Sequence, residues 1–136
     1  MKIYVSGSIY GGLEKIDTYK VLIDALEEYG EVLTKQIADP NTIDNEVNQK
    51  DEDIYNDLEN KLILSDILIA EVTIPSLGVG YEIGYADKLG KRIIAIYDEN
   101  YVTKVSTMIR GNKRITLIPY REIKEITENL GNIILK

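Results

Sequence analysis

Two segments, Ile67-Leu-Ile-Ala-Glu-Val-Thr73 and Arg92-Ile-Ile-Ala-Ile-Tyr97, are nearly continuous apolar runs instead of alternations of apolar and polar residues. A strand with one wet face alternates, whereas a strand covered on both faces does not. Strands of this second kind belong to parallel sheets, whose crossover connections place helices on both sides. This pattern constrains the fold more than any other feature of the chain.

The remaining elements fit around those two strands. Lys2–Ser6, Glu31–Thr34 and Ile115–Ile118 read as further short strands. Ile16, Tyr19, Ile23 and Leu26 recur at helical spacing within 14–29, with Gly30 placed as a C-cap. Ile54, Leu58 and Leu62 form a stripe on a second helix over 51–64. A third helix is expected over 79–89, closed by Gly90, and an amphipathic one over 121–135. The polar segment from Gln36 to Lys50, with Pro40, reads as a long mobile loop of the kind that closes over ligands. No internal repeat or linker divides the chain. The expectation is one α/β domain over residues 1–136, a doubly wound parallel five-stranded sheet flanked by helices. Ligands in such sheets bind beyond the carboxyl ends of the strands, where strand order reverses.

Composition narrows the chemistry. The chain has no Cys and no His, so thiolate chemistry is out and acid–base work falls to Asp, Glu, Tyr or Lys. A net charge of −7 argues against a nucleic-acid surface. No apolar run reaches the ~20 residues of a membrane helix, and the N-terminus enters a strand pattern directly, so a soluble cytoplasmic protein is expected.

Two glycine-bearing turns follow expected strands. Gly7-Ser-Ile-Tyr-Gly-Gly12 matches neither the dinucleotide nor the Walker spacing, yet its backbone amides can approach an anion closely. Pro75-Ser-Leu-Gly-Val-Gly80 offers a similar turn, in which Ser76 suits a helix cap or a phosphate donor. Glu82 stands in the expected first turn of the third helix, where the helix dipole would favour it. Its neighbours Tyr85, Ala86 and Leu89 make that face partly apolar, as for a nucleophile or base. Asp57 is a second candidate within a carboxylate-rich stretch. Tyr4 falls inside the first strand, and Glu71 needs partners because its strand is buried.

These residues resemble a family. Tyr4-Val-Ser-Gly-Ser-Ile-Tyr-Gly-Gly12, the helix bearing Asp57, Ala70 through Gly84, and Ser106-Thr-Met-Ile-Arg-Gly111 are similar to the 2′-deoxynucleoside 5′-phosphate N-hydrolases of the nucleoside 2-deoxyribosyltransferase superfamily. The resemblance implies a Rossmann-like homodimer that cleaves deoxynucleoside monophosphates to free base and 2-deoxyribose 5-phosphate, without metal or organic cofactor. It assigns Glu82 as nucleophile, Asp57 as the acid near the leaving base and Tyr4 as a helper. Ser8, Ile9, Tyr10, Gly11, Gly12, Ser76, Gly78 and Gly80 match the substrate and phosphate cradle. Ser106, with Met108 beside it, matches a contribution from the neighbouring subunit. Where animal members carry a basic residue this chain has Tyr10, so Arg110, Lys104 or backbone donors would have to replace it. The competing readings are a deoxyribosyltransferase acting on nucleosides, a CMP-type ribonucleotide hydrolase, and a nucleotide sensor without turnover.

Overall fold

The computed structural model describes residues 1–9, 15–102 and 104–136. Five strands, β1 (Lys2–Gly7), β2 (Glu31–Val32), β3 (Ile67–Glu71), β4 (Arg92–Asp98) and β5 (Ile115–Tyr120), form one sheet in the order β2-β1-β3-β4-β5. All pairings are parallel. Strand order reverses between β1 and β3, and a ligand crevice is expected at their carboxyl ends.

The helices are α1 (Ile16–Leu26), α2 (Thr42–Glu46), α3 (Asp51–Leu64), α4 (Leu77–Lys88), α5 (Thr107–Arg110), α6 (Lys124–Thr127) and α7 (Leu130–Ile134). Successive strand residues point to opposite faces. Ile3, Val5, Ile67, Ile69, Ile94 and Ile96 therefore pack on one side, against α1 and α7. Tyr4, Leu68, Ala70, Ile93 and Ala95 pack on the other, against Leu62, Val79, Ile83 and Ala86. Both faces are apolar, which is why β3 and β4 read as unbroken runs. Each fully buried Ile or Leu contributes about 1.5–3 kcal/mol.

Four expectations are corrected. The segment after β2 is not a loop throughout: it holds a short 3-10 helix, Lys35–Ala38, and then α2. Ile37 anchors it in the core, the Thr42 hydroxyl donates to the Gln36 carbonyl, and the Asp39 carboxylate accepts from the Asn41 amide at 2.8 Å. Such side-chain-to-backbone bonds organise a polar segment that lacks hydrophobic periodicity. Gly30 is not a left-handed cap, since Gly90 alone has positive φ among the described residues. It instead admits the Met1 carbonyl, which a Cβ there would meet at 2.2 Å. The C-terminal helix is broken into α6 and α7, where the Asn129 amide turns back onto the Glu125 carbonyl at 2.9 Å. Finally, α4 starts at Leu77, which moves Glu82 into its second turn and removes the dipole account of that residue.

Candidate active site

The crevice is framed by the ends of β1 and β3. Gly7 ends β1 where the Tyr19 ring crosses it, and a Cβ there would lie 2.8 Å from that ring. The Tyr19 hydroxyl donates to the Ser8 carbonyl at 2.9 Å, so α1 fixes the start of the glycine turn. Ser8 is buried and Ile9 packs against the core. Tyr10, Gly11 and Gly12 lie outside the described residues.

At the end of β3 the buried Glu71 finds the partners its position demands. Its carboxylate accepts from the Thr73 amide at 2.6 Å and the Tyr120 hydroxyl at 2.9 Å. The Thr73 hydroxyl in turn accepts from the Asp98 amide at 2.9 Å. Asp98 pairs with the buried Lys15 at 2.8 Å. Glu71 thus clamps the exit of β3 to β4 and β5 and fixes where the next turn begins. Ser76 is the N-cap of α4, its Oγ accepting from the Val79 amide at 3.3 Å.

Glu82 projects from α4 toward β1. Tyr4 and Ser6 lie two residues apart on β1, so both side chains lie on one face of the strand, and both residues border a cavity with Glu82. Burial pushes the carboxyl of Glu82 from 4.5 up to about 7, while the two hydroxyls pull it back down. Burial and then the charge of Glu82 raise the Tyr4 hydroxyl far above the usual tyrosine range, so it remains a donor. A carboxyl that titrates near neutrality beside a buried phenol is equipped to act as nucleophile or base.

Two cavities meet at Glu82. One, of about 160 Å3, lies between α3 and α4 and includes Tyr4, Leu58, Tyr55, Tyr81 and Tyr85. Its rim is ordered by Glu59, which accepts from the Tyr55 and Tyr85 hydroxyls at 2.7 and 2.9 Å. The other, about 40 Å3, is bounded by Ser6, Gly7, Ile9, Gln36 and Glu46. Gly78 borders the first cavity.

Asp57 lies at the edge of this arrangement. Its side chain is 59% exposed and pairs with Lys61 at 2.8 Å, and it lines an adjoining cleft that shares Gln36, Glu46 and Leu58 with the smaller cavity. Leu58, one residue on, is the α3 residue that borders both of Glu82's cavities. Asp57 nevertheless remains near enough for its charge to raise the Tyr4 hydroxyl.

Ser106 and Met108 sit on the far side of α4. They border a groove of about 660 Å3 with Ser76, Leu77, Gly80 and Lys104. Ser106 caps α5, accepting from the Met108 amide at 3.2 Å. Arg110 is committed locally, its Nε donating to the Val105 carbonyl at 2.8 Å. Lys104 is exposed at that groove.

Sequence reasoning missed Ser6, Glu46 and the tyrosines of α3 and α4. Ser6 was legible through its parity with Tyr4. Glu46 was hidden in a segment without periodicity.

The fold and site define an open, doubly wound α/β domain with a partly buried carboxylate at its topological switch point. A sequence model described as nucleoside 2-deoxyribosyltransferase matches residues 3–127, and the chain belongs to that family. A Nematostella vectensis protein provisionally named 2′-deoxynucleoside 5′-phosphate N-hydrolase 1 is 41% identical over 127 residues, covering 91% of this chain and 86% of the relative. The 5-hydroxymethyl-dUMP N-hydrolase of Esox lucius is 37% identical over 128 residues, covering 92% and 88%. The solved CMP N-glycosidase of Clostridium botulinum shares the fold, with a TM-score of 0.70 at 23% identity over 98% of this chain and 100% of that one. Among the described residues no helix is long and apolar enough to cross a membrane.

Proposed function

We propose that this protein is a cytoplasmic hydrolase that cleaves the N-glycosidic bond of 2′-deoxynucleoside 5′-monophosphates, releasing free base and 2-deoxyribose 5-phosphate. The observation that carries this reading is Glu82, near neutral in pKa and beside the Tyr4 hydroxyl at the switch point, in a chain whose relatives bear N-hydrolase names.

In the first step the ionised Glu82 carboxylate attacks the anomeric carbon. The carbon–nitrogen bond breaks, its electron pair leaves with the base, and the base takes up the proton of a second carboxyl, Asp57 or Glu46. Water then attacks the anomeric carbon and gives its proton back to that second carboxylate, the ester bond to Glu82 breaks, and the Glu82 carboxylate is restored. Tyr4 donates to the carboxylate and orients it. The turn after β1, with Ser8 and its glycines, and the turn at Ser76 hold the 5′-phosphate. Asp57 reaches the leaving base only if its pair with Lys61 opens. Glu46 shares a cavity with Glu82, and burial raises its carboxyl. Glu46→Gln should therefore slow base release more than Asp57→Asn.

The active unit is a homodimer in this reading. Leu77 is 96% and Met108 81% exposed beside the groove, which is more apolar surface than a solvated helix face needs. Gly80 and Gly84 have open space where a Cβ would stand, so another helix can approach α4 closely. A second copy seated there would bring Ser106 to its neighbour's phosphate.

Incubation with each of the four dNMPs, with deoxyguanosine and with CMP, followed by chromatography of free base, tests the proposal. Base release from dNMPs is expected, and Glu82→Gln should abolish it while nucleotide binding persists. Release from deoxyguanosine only when an acceptor base is added would instead establish a transferase. Binding of dNMP without turnover would establish a sensor.

A further inference from the structure

Beyond its effect on the Glu82 carboxyl, Ser6 has no role in the cradle or in the acid–base assignments above, yet its environment is unusual. The residue is 1% exposed, and among the described residues its Oγ is the buried side-chain oxygen or nitrogen that makes no hydrogen bond of ordinary geometry. Leaving a buried hydroxyl unsatisfied is costly, and Ala, which occupies the paired position on β3, Ala70, would fit the strand without that cost. The hydroxyl borders the same small cavity as Glu82 and lies on the same face of β1 as Tyr4.

We infer that Ser6 is a positioning residue of the reaction, its hydroxyl donating to the Glu82 carboxylate and holding it, with Tyr4, aimed at the anomeric carbon. The inference rests on Glu82 as nucleophile, the proposed function above. Donation to the charged form favours ionisation, which is the sense in which Ser6 acts on Glu82. The other titratable groups bordering Glu82's cavities are Tyr4 from β1, Glu46 from α2, Tyr55 and Glu59 from α3, and Tyr81 and Tyr85 from α4. Asp57, from α3, acts on Tyr4. Among the described residues no lysine or arginine borders those cavities, so hydroxyl donors are what favours the ionised carboxylate there.

The test is a carbon-13 NMR titration of the glutamate carboxyls in wild type, Ser6→Ala and Ser6→Cys, with the Glu82 signal assigned by its loss in Glu82→Gln. Ser6→Ala should raise the Glu82 midpoint by roughly half to one pH unit, a three- to tenfold drop in its ionised-to-protonated ratio below the midpoint. Ser6→Cys, a weaker donor, should fall between. The acidic limb of kcat/KM for dNMP cleavage should move by the same amount, and thermal stability of Ser6→Ala at pH 5, where Glu82 is protonated, should be equal or higher. An unchanged Glu82 midpoint in Ser6→Ala overturns the inference. If wild type releases no base, the proposed function fails, and the titration difference still decides whether Ser6 donates to Glu82.

Discussion

Replacing Glu82 by Gln should make the protein more stable at alkaline pH while it becomes inactive. The carboxyl is raised from 4.5 to about 7 mainly by burial, so the folded state holds its proton where the unfolded chain has lost it. For a group shifted in this direction, its favourable contribution is complete below 4.5 and is lost as pH rises through about 7. At pH 8 the wild type carries a partly desolvated charge that Gln does not. At about 1.4 kcal/mol per pH unit the full difference is about 3 kcal/mol, and solvent screening at this part-exposed group reduces it to about 2 kcal/mol. Urea unfolding of both proteins at pH 4, 6 and 8 measures this directly. The curves should nearly coincide at pH 4 and separate by about 2 kcal/mol at pH 8. A gap that is constant with pH, or a variant less stable than wild type at pH 8, would refute the burial account of Glu82. The idea that this carboxylate is held in readiness for chemistry would then lose its physical basis.

Leu77→Asp or Met108→Glu should convert a dimer to a monomer in light scattering and sharply lower base release, since each puts a charge into the apolar groove. Mixing inactive Glu82→Gln with Ser106→Ala should restore partial activity if Ser106 serves the neighbouring site. Gly7→Ala should destabilise by about 1–3 kcal/mol in denaturant unfolding, because the Tyr19 ring must shift away from the new Cβ. In steady-state assays, Glu46→Gln should reduce kcat more than Asp57→Asn does.

Much of the architecture was readable because periodicity reports burial directly. The apolar runs at Ile67 and Arg92 required cover on both faces, and both cores are there. Glu82 was legible from its half-apolar helix face, whereas Tyr4 became a candidate only through the family resemblance, since its strand position alone reads as core. The rotation of α3 lies beyond such reading. Neighbouring helix residues differ by roughly 100° in direction, and the rotation of α3 is set by how Leu58 and Leu62 pack. That packing turns Leu58 toward Glu82 and leaves Asp57 with Lys61. The 36–50 segment escaped for another reason, because its order comes from Ile37 and from side-chain-to-backbone bonds, neither of which is periodic.

By itself, the sequence determined the class of fold, the strand exits and the absence of His and Cys, which leaves acid–base work to Asp, Glu, Tyr or Lys. Those properties follow from local pattern and composition, which act wherever the chain goes. Tertiary structure alone decided that Glu82 titrates near neutrality, that Ser6 joins Tyr4 beside it, and that Ser106 lies across α4 from it. Each of these depends on distances between residues far apart in the chain, and only packing of the sheet against α3 and α4 sets them.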